Sequence, residues 1–317
     1  MSDALDRAMQ TVVTRCLGVA AGDDVVVVAD AGTLAHGQGL RAAAAAAGGD
    51  AVLCVMDERA TDGTEPPPPV AAALGACDVF IAPTSRSLSH TMARKAASDA
   101  GARGATLPGV TAGMLARLMS VDAEALGARC AVVAGALDGG SEARLTCPLG
   151  SDLVFDLRGR HGISDDGDLT ARGAFGNLPC GEGFIAPAGG EGVMVASSLA
   201  AIGLVAGEPA RLEVRDGQLV GASGPEGQEL LRRLREHGSG GTNLAELGVG
   251  TNDAATLTGN VLEDEKILGT VHVAFGASAA IGGTVSVPIH LDCVVLHASL
   301  QVDGRPVLAD GRLVLTV

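Results

Sequence analysis

Short β-branched runs alternate with helical segments through the first 140 residues. Asp24–Asp30 contains four consecutive valines, a continuous apolar run that is typical of a strand buried on both faces. The Ala-rich segment 33–47 predicts a helix, and Ala51–Met56 and Asp78–Ala82 predict further strands. Strands that alternate with helices in this way predict a parallel sheet with helices on both faces.

The pattern changes near Gly139-Gly140, after which the chain becomes rich in strands and is punctuated by glycine. Asp216-Gly217 lies between two short apolar runs, which is a hairpin signal. One helix, Glu226–His237, interrupts the strands. The predicted fold class is therefore an α/β N-terminal domain with a parallel sheet, residues 1–140, followed by a β-rich α+β domain, residues 141–317.

Composition limits the partners that the chain can bind. Its 317 residues include 22 basic and 37 acidic side chains, for a formal net charge of −15. Phosphate-binding surfaces need clustered Lys and Arg, and stacking of bases needs aromatic side chains, but the chain has neither Trp nor Tyr. No stretch of about 20 apolar residues predicts a membrane span. We therefore expect a small-molecule or short-peptide substrate, with no nucleic acid and no membrane.

The cysteines indicate a reducing compartment. There are seven, they occur singly, and no C-x-x-C motif is present. Most lie in apolar stretches, which is typical of buried free thiols. No apolar run follows a basic stretch near the N-terminus, so no secretory signal is predicted. The expected location is the cytoplasm.

The candidate chemistry begins with the segment VPIHLDCVV, residues 287–295. It places His290 and Asp292 two residues apart in a run rich in β-formers. Side chains alternate along a strand, so both would point the same way and could bind one metal ion. The alternative is a core histidine beside a turn carboxylate, because an H-x-D pair is a short signal.

Three further residues could complete a metal site. Glu182 lies among glycines in NLPCGEGF, Glu246 lies in the apolar run NLAELGVG, and His272 lies in the strand pattern GTVHVAFG. Each has an ordinary alternative, respectively a turn carboxylate, an exposed or paired strand carboxylate, and a structural histidine. With the H-x-D pair they form a donor set that suits Zn, Mn, Co or Fe(II). The set is large enough for one divalent ion, or for two ions that share a carboxylate.

The order of these motifs resembles that of the M29 metallo-aminopeptidases, the aminopeptidase T-like enzymes. The matching motifs are NLPCGEGFIAP, NLAELGVGTN, GTVHVAFG and IHLD, and the resemblance covers most of the chain. It implies a homodimer whose metal ligands are Glu182, Glu246, His272, His290 and Asp292. That family also has a tyrosine ligand. Here the expected position falls in a Gly- and Ala-rich segment, and the interval between the two histidines is short.

Two functions are consistent with the resemblance. The preferred prediction is a hydrolase of the leucyl aminopeptidase or aminopeptidase T type. In it, one or two ions of Zn, Co or Mn activate a water, and Glu182 or Glu246 acts as general base. The alternative is a ring-cleaving dioxygenase similar to the 2,5-dihydroxypyridine dioxygenases, with Fe(II) held by His272, His290 and Asp292. A scaffold without activity is disfavoured because all five other ligand positions hold competent residues.

Two residues outside the ligand set are predicted to bind substrate. His90 could reach the site from the first domain, although it could equally be a histidine at the start of a helix. Lys266 could bind a substrate carboxylate. Its alternative is an ion pair with the neighbouring Asp264 or Glu265 on a solvated face.

Overall fold

The computed structural model describes residues 3–316. The chain divides into two compact units. The first consists of Met1–Val121 and Gly167–Cys180, and the second consists of Asp122–Asp166 and Gly181–Val317. The units are therefore interleaved along the chain, whereas the sequence pattern predicts one boundary near Gly139-Gly140.

The helices begin where the sequence offers caps. Thr91, Thr111 and Asp122 each accept a hydrogen bond from a backbone N–H of the helix that follows, which satisfies donors that have no partner within the helix. A π-helical segment, Thr11–Cys16, follows the first helix. The α-helices are α1 (Asp3–Gln10), α2 (Leu34–Ala46), α3 (Pro68–Leu74), α4 (Met92–Ala100), α5 (Ala112–Leu118), α6 (Ala123–Leu137), α7 (Pro225–Arg235), α8 (Gly238–Gly241) and α9 (Val261–Asp264).

The strands become dense after residue 141, as the glycine-punctuated pattern predicts. They are β1 (Asp24–Asp30), β2 (Asp50–Met56), β3 (Val79–Ala82), β4 (Arg103–Thr106), β5 (Glu142–Thr146), β6 (Asp152–Asp156), β7 (Ile163–Asp165), β8 (Phe175–Asn177), β9 (Glu182–Ile185), β10 (Gly189–Ala196), β11 (Ser198–Leu199), β12 (Gly203–Leu204), β13 (Ala210–Arg215), β14 (Gln218–Ser223), β15 (Leu244–Gly250), β16 (Val271–Gly276), β17 (His290–Val295), β18 (Ser299–Val302), β19 (Arg305–Ala309) and β20 (Arg312–Leu313).

The first unit is built on a five-stranded parallel sheet in the order β2-β1-β3-β4-β8. All of β1 except its first residue is buried, as a strand covered on both faces requires. The last strand, β8, comes from the segment that returns to this unit after residue 166. The sequence prediction of a parallel α/β sheet is confirmed.

The second unit contains two sheets. One has eight strands in the order β14-β13-β10-β6-β5-β18-β19-β20, and the other has seven in the order β12-β11-β17-β16-β15-β9-β7. A single apolar cluster draws side chains from both sheets, including Phe155 and Met194 from the first and Leu247 and Phe275 from the second. The predicted β-rich α+β character of this part is confirmed.

Helix α6 explains why the second unit begins at Asp122 rather than near Gly139-Gly140. It precedes Gly139-Gly140, yet it packs against β7 and β9 of the second unit. Val133 and Leu137 of α6 are buried in the apolar cluster of that unit. A helix pattern predicts which face is apolar but does not say which sheet covers it, so the boundary could not be placed from the pattern alone. Within residues 3–316, no helix is both long and apolar enough to cross a membrane.

Candidate metal centre

The candidate centre lies on four neighbouring strands of the seven-stranded sheet, β17-β16-β15-β9. Glu182 begins β9, Glu246 lies on β15, His272 lies on β16, and His290 and Asp292 lie on β17. Residues far apart in the chain thus become lateral neighbours. The structure brings together all five residues that the sequence analysis proposed as ligands.

The opposite face of these strands faces the apolar core. Leu247, Val249, Val271, Val273 and Phe275 alternate with the polar positions and are all fully buried in the cluster. Alternation with a period of two therefore separates ligands from core. A slip of one residue would exchange the two faces, so burial of the valines fixes the register of the ligands.

Glycines leave the space that the site occupies. Gly248 pairs with His272 across β15 and β16, and a Cβ on Gly248 would lie 2.0 Å from His272 Nε2. Gly250 pairs with Glu182, and Gly276 pairs with His290. The imidazole of His272 can therefore lie over the sheet only because its lateral neighbour has no side chain.

The polar atoms of the site converge on Glu246. His272 Nε2 lies 3.2 Å from Glu246 Oε1 and 3.0 Å from Glu182 Oε2. His290 Nε2 lies 3.4 Å from Glu246 Oε2 and 3.6 Å from Asp292 Oδ1. Two groups could each hold an ion, Glu182–Glu246–His272 and Glu246–His290–Asp292. The two groups share Glu246. The ligand set of the dioxygenase alternative is divided between them, because His272 lies in the first group and His290 and Asp292 lie in the second.

His290 is oriented for metal binding by the backbone. Its Nδ1 lies 2.7 Å from the carbonyl oxygen of Ala277. A carbonyl only accepts, so Nδ1 carries the proton and donates it. In the neutral ring Nε2 then carries the lone pair, and it faces Glu246 and Asp292. Such a backbone partner commonly fixes the tautomer of metal-binding histidines.

The electrostatics of the site demand positive charge. Burial raises the pKa of Glu182 and Glu246, but this is outweighed by Lys266 and His272 for Glu182, and by His272 and His290 for Glu246. The pKa of each carboxyl falls to about 2. Burial lowers the pKa of both histidines, yet the facing carboxylates outweigh it and raise that pKa well above its usual value. Two buried carboxylates are therefore ionised and need cations beside them.

The donor set fits a divalent metal ion. Glu182 Oε2 is buried and faces His272 Nε2 at 3.0 Å, so the charge on this oxygen is balanced there only when that ring is protonated. A metal ion among these carboxylates and imidazoles would supply the positive charge with the rings neutral. The chemistry of Glu182, Glu246, His272, His290 and Asp292 therefore fits a divalent ion, and their roles as ligands stay a prediction.

Lys266 lies inside this network rather than on a solvated face, and that expectation is wrong. The side chain is 1% exposed. Its Nζ lies 2.6 Å from Glu182 Oε1, 2.7 Å from Glu265 Oε1 and 3.9 Å from Asp165 Oδ2. Asp264 is not its partner but accepts hydrogen bonds from Ser198 and from Thr258. The predicted role of Lys266 in binding substrate stays a prediction.

Asp165 was not predicted from the sequence, and Glu265 was predicted only as an ion-pair partner of Lys266 on a solvated face; the pairing is present, but it is buried. Burial is the main cause that raises the pKa of Asp165 to about 7 and that of Glu265 to about 8, although Lys266 opposes the shift. The signal for Glu265 was present, since the charged run Glu263–Lys266 stands between apolar Leu262 and Ile267-Leu268. Asp165 carried no comparable signal, because it reaches the site through pairing of β7 with β9.

His90 belongs to the first unit, where it is exposed and precedes the N-cap of α4 at Thr91. The position matches the ordinary alternative of a histidine at the start of a helix. Its predicted role in substrate binding stays a prediction.

The fold and the site define the class: a protein with a parallel α/β unit and a β-rich unit that carries a candidate metal centre of carboxylates and imidazoles. A family model described as "NicX: 2,5-dihydroxypyridine 5,6-dioxygenase" matches residues 4–315, and the chain belongs to this family. The family and the residue groups together imply a metal cofactor. No match was found among curated proteins.

Two solved structures share the fold. The 2,5-dihydroxypyridine dioxygenase from Pseudomonas putida KT2440 is similar with a TM-score of 0.84 and 17% identity, over 99% of this chain and 98% of that chain. AmpT from Thermus thermophilus is similar with a TM-score of 0.70 and 20% identity, over 98% of this chain and 99% of that chain. The fold class and the resemblance predicted from the motifs are confirmed.

Proposed function

We propose that the protein is a non-haem Fe(II) dioxygenase that opens a hydroxylated aromatic ring of the 2,5-dihydroxypyridine type. The observation that carries this proposal is the family match over residues 4–315. It favours the alternative of the sequence analysis over the preferred aminopeptidase-like hydrolase. The absence of tyrosine from the chain agrees with it, because the tyrosine ligand belongs to the aminopeptidase pattern.

His272, His290 and Asp292 would hold the ion. They belong to two residue groups joined by Glu246, so Glu246, which lies between the two imidazoles, is a further candidate ligand. A 2-His-1-carboxylate set is typical of Fe(II) oxygenases and leaves coordination positions open. Bound Fe(II) would supply activation of O2, so that both oxygen atoms enter the ring that is cleaved.

Glu182 is the candidate base within the chain. Its carboxyl is ionised, since its pKa is lowered to about 2 by Lys266 and His272 against the effect of burial. Oε1 is held by Lys266, whereas Oε2 faces His272 Nε2 at 3.0 Å. Oε2 would accept a proton from a ring hydroxyl that comes within hydrogen-bond distance as the substrate binds, although the lowered pKa makes Glu182 a weak base.

One observation supports a second candidate, the two-metal hydrolase. The two residue groups of the site share Glu246, as a carboxylate that bridges two ions would require. In such an enzyme metal-activated water would attack a small peptide or amide. The number of metal ions bound per chain distinguishes the two candidate functions, because the dioxygenase needs one ion per chain and the two-metal hydrolase needs two.

The decisive experiment pairs metal analysis with two activity assays. The purified chain, reconstituted anaerobically with Fe(II), should consume O2 with 2,5-dihydroxypyridine in a one-to-one ratio. Reconstituted with Zn, Co or Mn, it should release no amine from aminoacyl-nitroanilides. His290→Ala should lower O2 uptake at least 100-fold, because an imidazole ligand is lost.

His161→Ala provides the matched control, since His161 lies in the same unit but is exposed and pairs with Asp138. It should retain the uptake of the wild-type chain. Amine release together with two bound ions per chain would contradict the dioxygenase proposal and support the hydrolase. The homodimer and the cytoplasmic location remain predictions of the sequence analysis.

A further inference from the structure

Lysine is rare in this chain, and one of its two lysines is buried in the site. Of the 22 basic residues, only Lys95 and Lys266 are lysines. Lys95 is exposed and forms an ion pair with Asp99 at the surface. Lys266 is buried among three carboxyl groups, so its ammonium has a specific local environment rather than a general role in solubility.

The contacts of Lys266 use two of its three N–H donors. They are the hydrogen bonds of 2.6 Å to Glu182 Oε1 and 2.7 Å to Glu265 Oε1. Asp165 Oδ2 lies 3.9 Å from Nζ, within ion-pair distance but too far for a hydrogen bond. The side chain is 1% exposed, which leaves a substrate carboxylate little access to the third donor. A planar guanidinium, which arginine would offer, has a fixed fork geometry unlike this arrangement.

The contact with Lys266 gives the two oxygens of the Glu182 carboxylate different partners. Oε1 is held by Lys266, and Oε2 faces His272 Nε2 at 3.0 Å. Gly250 allows this arrangement, because a Cβ there would meet the backbone of Glu265, Lys266 and Ile267 at 2.2–2.7 Å. The segment that carries Lys266 therefore lies directly against β15.

We propose that Lys266 is a positioning residue of the metal centre: it holds Glu182 so that a single oxygen faces the ligands, and it does not bind substrate. The inference rests on the proposed function only for its kinetic consequence. Its physical content is that Lys266 and the metal site are coupled through Glu182.

The first test uses lysine signals in the full-length chain. With 15N-labelled lysine the protein has two side-chain resonances, and Lys95→Arg identifies the one from Lys266. Addition of Zn²⁺ should shift the Lys266 resonance and leave that of Lys95 unchanged. The shift should be at least halved in Glu182→Gln, since the coupling passes through that carboxylate. A Lys266 resonance whose chemical shift does not change when Zn²⁺ binds would overturn the proposal.

The second test substitutes the lysine. Lys266→Met should alter the visible spectrum of bound Co²⁺, because Glu182 can then turn. Zn²⁺ affinity should stay equal or rise, since an ammonium that repels a cation is removed. With Fe(II) and 2,5-dihydroxypyridine, kcat should fall at least tenfold while KM changes less than twofold. Lys266→Arg should recover part of kcat, and Lys95→Met should match the wild-type chain throughout.

A raised KM with an unchanged Co²⁺ spectrum and kcat would show that Lys266 binds substrate and would overturn the proposal. If Lys266→Met does not fold, the lysine resonances of the wild-type chain and of Glu182→Gln still decide it. If the wild-type chain opens no ring, the proposed function fails separately, because the lysine resonances and the Co²⁺ spectrum do not depend on turnover.

Discussion

At the scale of residues, the site depends on what is absent as much as on what is present. Gly248 has no side chain, and the ring of His272 lies in the space that a side chain would fill. The φ angle of Gly248 is not positive, so its backbone conformation is one that any residue can adopt. Glycine is therefore required at this position only by the lack of space. The ring of His272 has its Nε2 within 3.2 Å of Glu182 and Glu246 oxygens. A methyl group at position 248 would overlap with His272 Nε2, the atom that faces those oxygens.

Gly248→Ala tests this requirement. The new Cβ would lie 2.0 Å from Nε2, so the ring must rotate away, and overpacking costs about 1–3 kcal/mol. We expect Zn²⁺ affinity, measured by competition with a chelator, to fall at least tenfold. Gly189→Ala is the matched control on β10, where nothing lies within 4 Å of the new Cβ. Unchanged affinity in Gly248→Ala would mean that His272 is not a ligand.

The ligands themselves could be predicted from the sequence because each stands out locally. His290 and Asp292 follow the period of a strand, and Glu246 interrupts an apolar run. Lys266 could not be placed, because a charged side chain in a charged run is usually solvated. Its burial depends on Asp165 and Glu182, which are about 100 and 84 positions away and meet it only in the folded sheet.

At the scale of elements, Asp30 joins two connections of the first unit. It ends β1, and its carboxylate accepts hydrogen bonds from the N–H and hydroxyl groups of Ser85 and from those of Thr33. Burial raises its pKa, but these hydrogen bonds outweigh that effect and lower the pKa below 3.8. The ionised carboxylate thus fastens the end of β1 to the segment after β3.

Asp30→Asn should reveal this linkage through its pH dependence. A lowered pKa in the folded state adds stability above the unfolded pKa, and that stability is lost as pH falls through the folded value. The wild-type chain should exceed the variant by about 1–3 kcal/mol in free energy of unfolding at pH 7. The difference in free energy of unfolding between the two chains should become smaller below about pH 4, where Asp30 is increasingly protonated. Urea unfolding at a series of pH values from 7 to below 4 measures this difference, with Asp57→Asn at an exposed position as the control. A difference in stability that does not change with pH would contradict the linkage.

The elements of the site were predictable to a large extent. The apolar alternation of β15–β17 gives their faces directly, and the valine run of β1 gives a strand buried on both sides. What could not be predicted is pairing. The two-residue spacing of His290 and Asp292 places both on one face, but only the order β17-β16-β15-β9 sets them beside the glutamates.

At the scale of the whole molecule, the parallel sheet of the first unit is completed by a distant segment. Phe175 of β8 stacks near Phe80, with ring centroids 6.2 Å apart. The Arg94 guanidinium carbon lies 4.1 Å from the centroid of the Phe175 ring. The edge strand therefore contributes packing as well as backbone pairing, and the first 121 residues alone lack these contacts.

Phe175→Ala should loosen the first unit selectively. Because this side chain is partly exposed, the loss should be about 2 kcal/mol, below the 3–5 kcal/mol of a fully buried phenylalanine. We expect faster hydrogen exchange in β4 and α4 than in the wild-type chain, with protection of β15–β17 retained. Phe155→Ala, in the core of the second unit, should show the converse pattern. Equal loss of protection in both units would contradict selective loosening.

The returning segment also has a consequence for synthesis on the ribosome. Residues 122–166 belong to the second unit and emerge before Gly167–Cys180, which the first unit needs. At roughly 5–20 residues per second, translation of this stretch delays the edge strand by several seconds. During that interval β4 has an open edge, which is prone to wrong pairing. A nascent chain of this protein would therefore keep the edge of β4 unpaired until residues 175–177 have been synthesised.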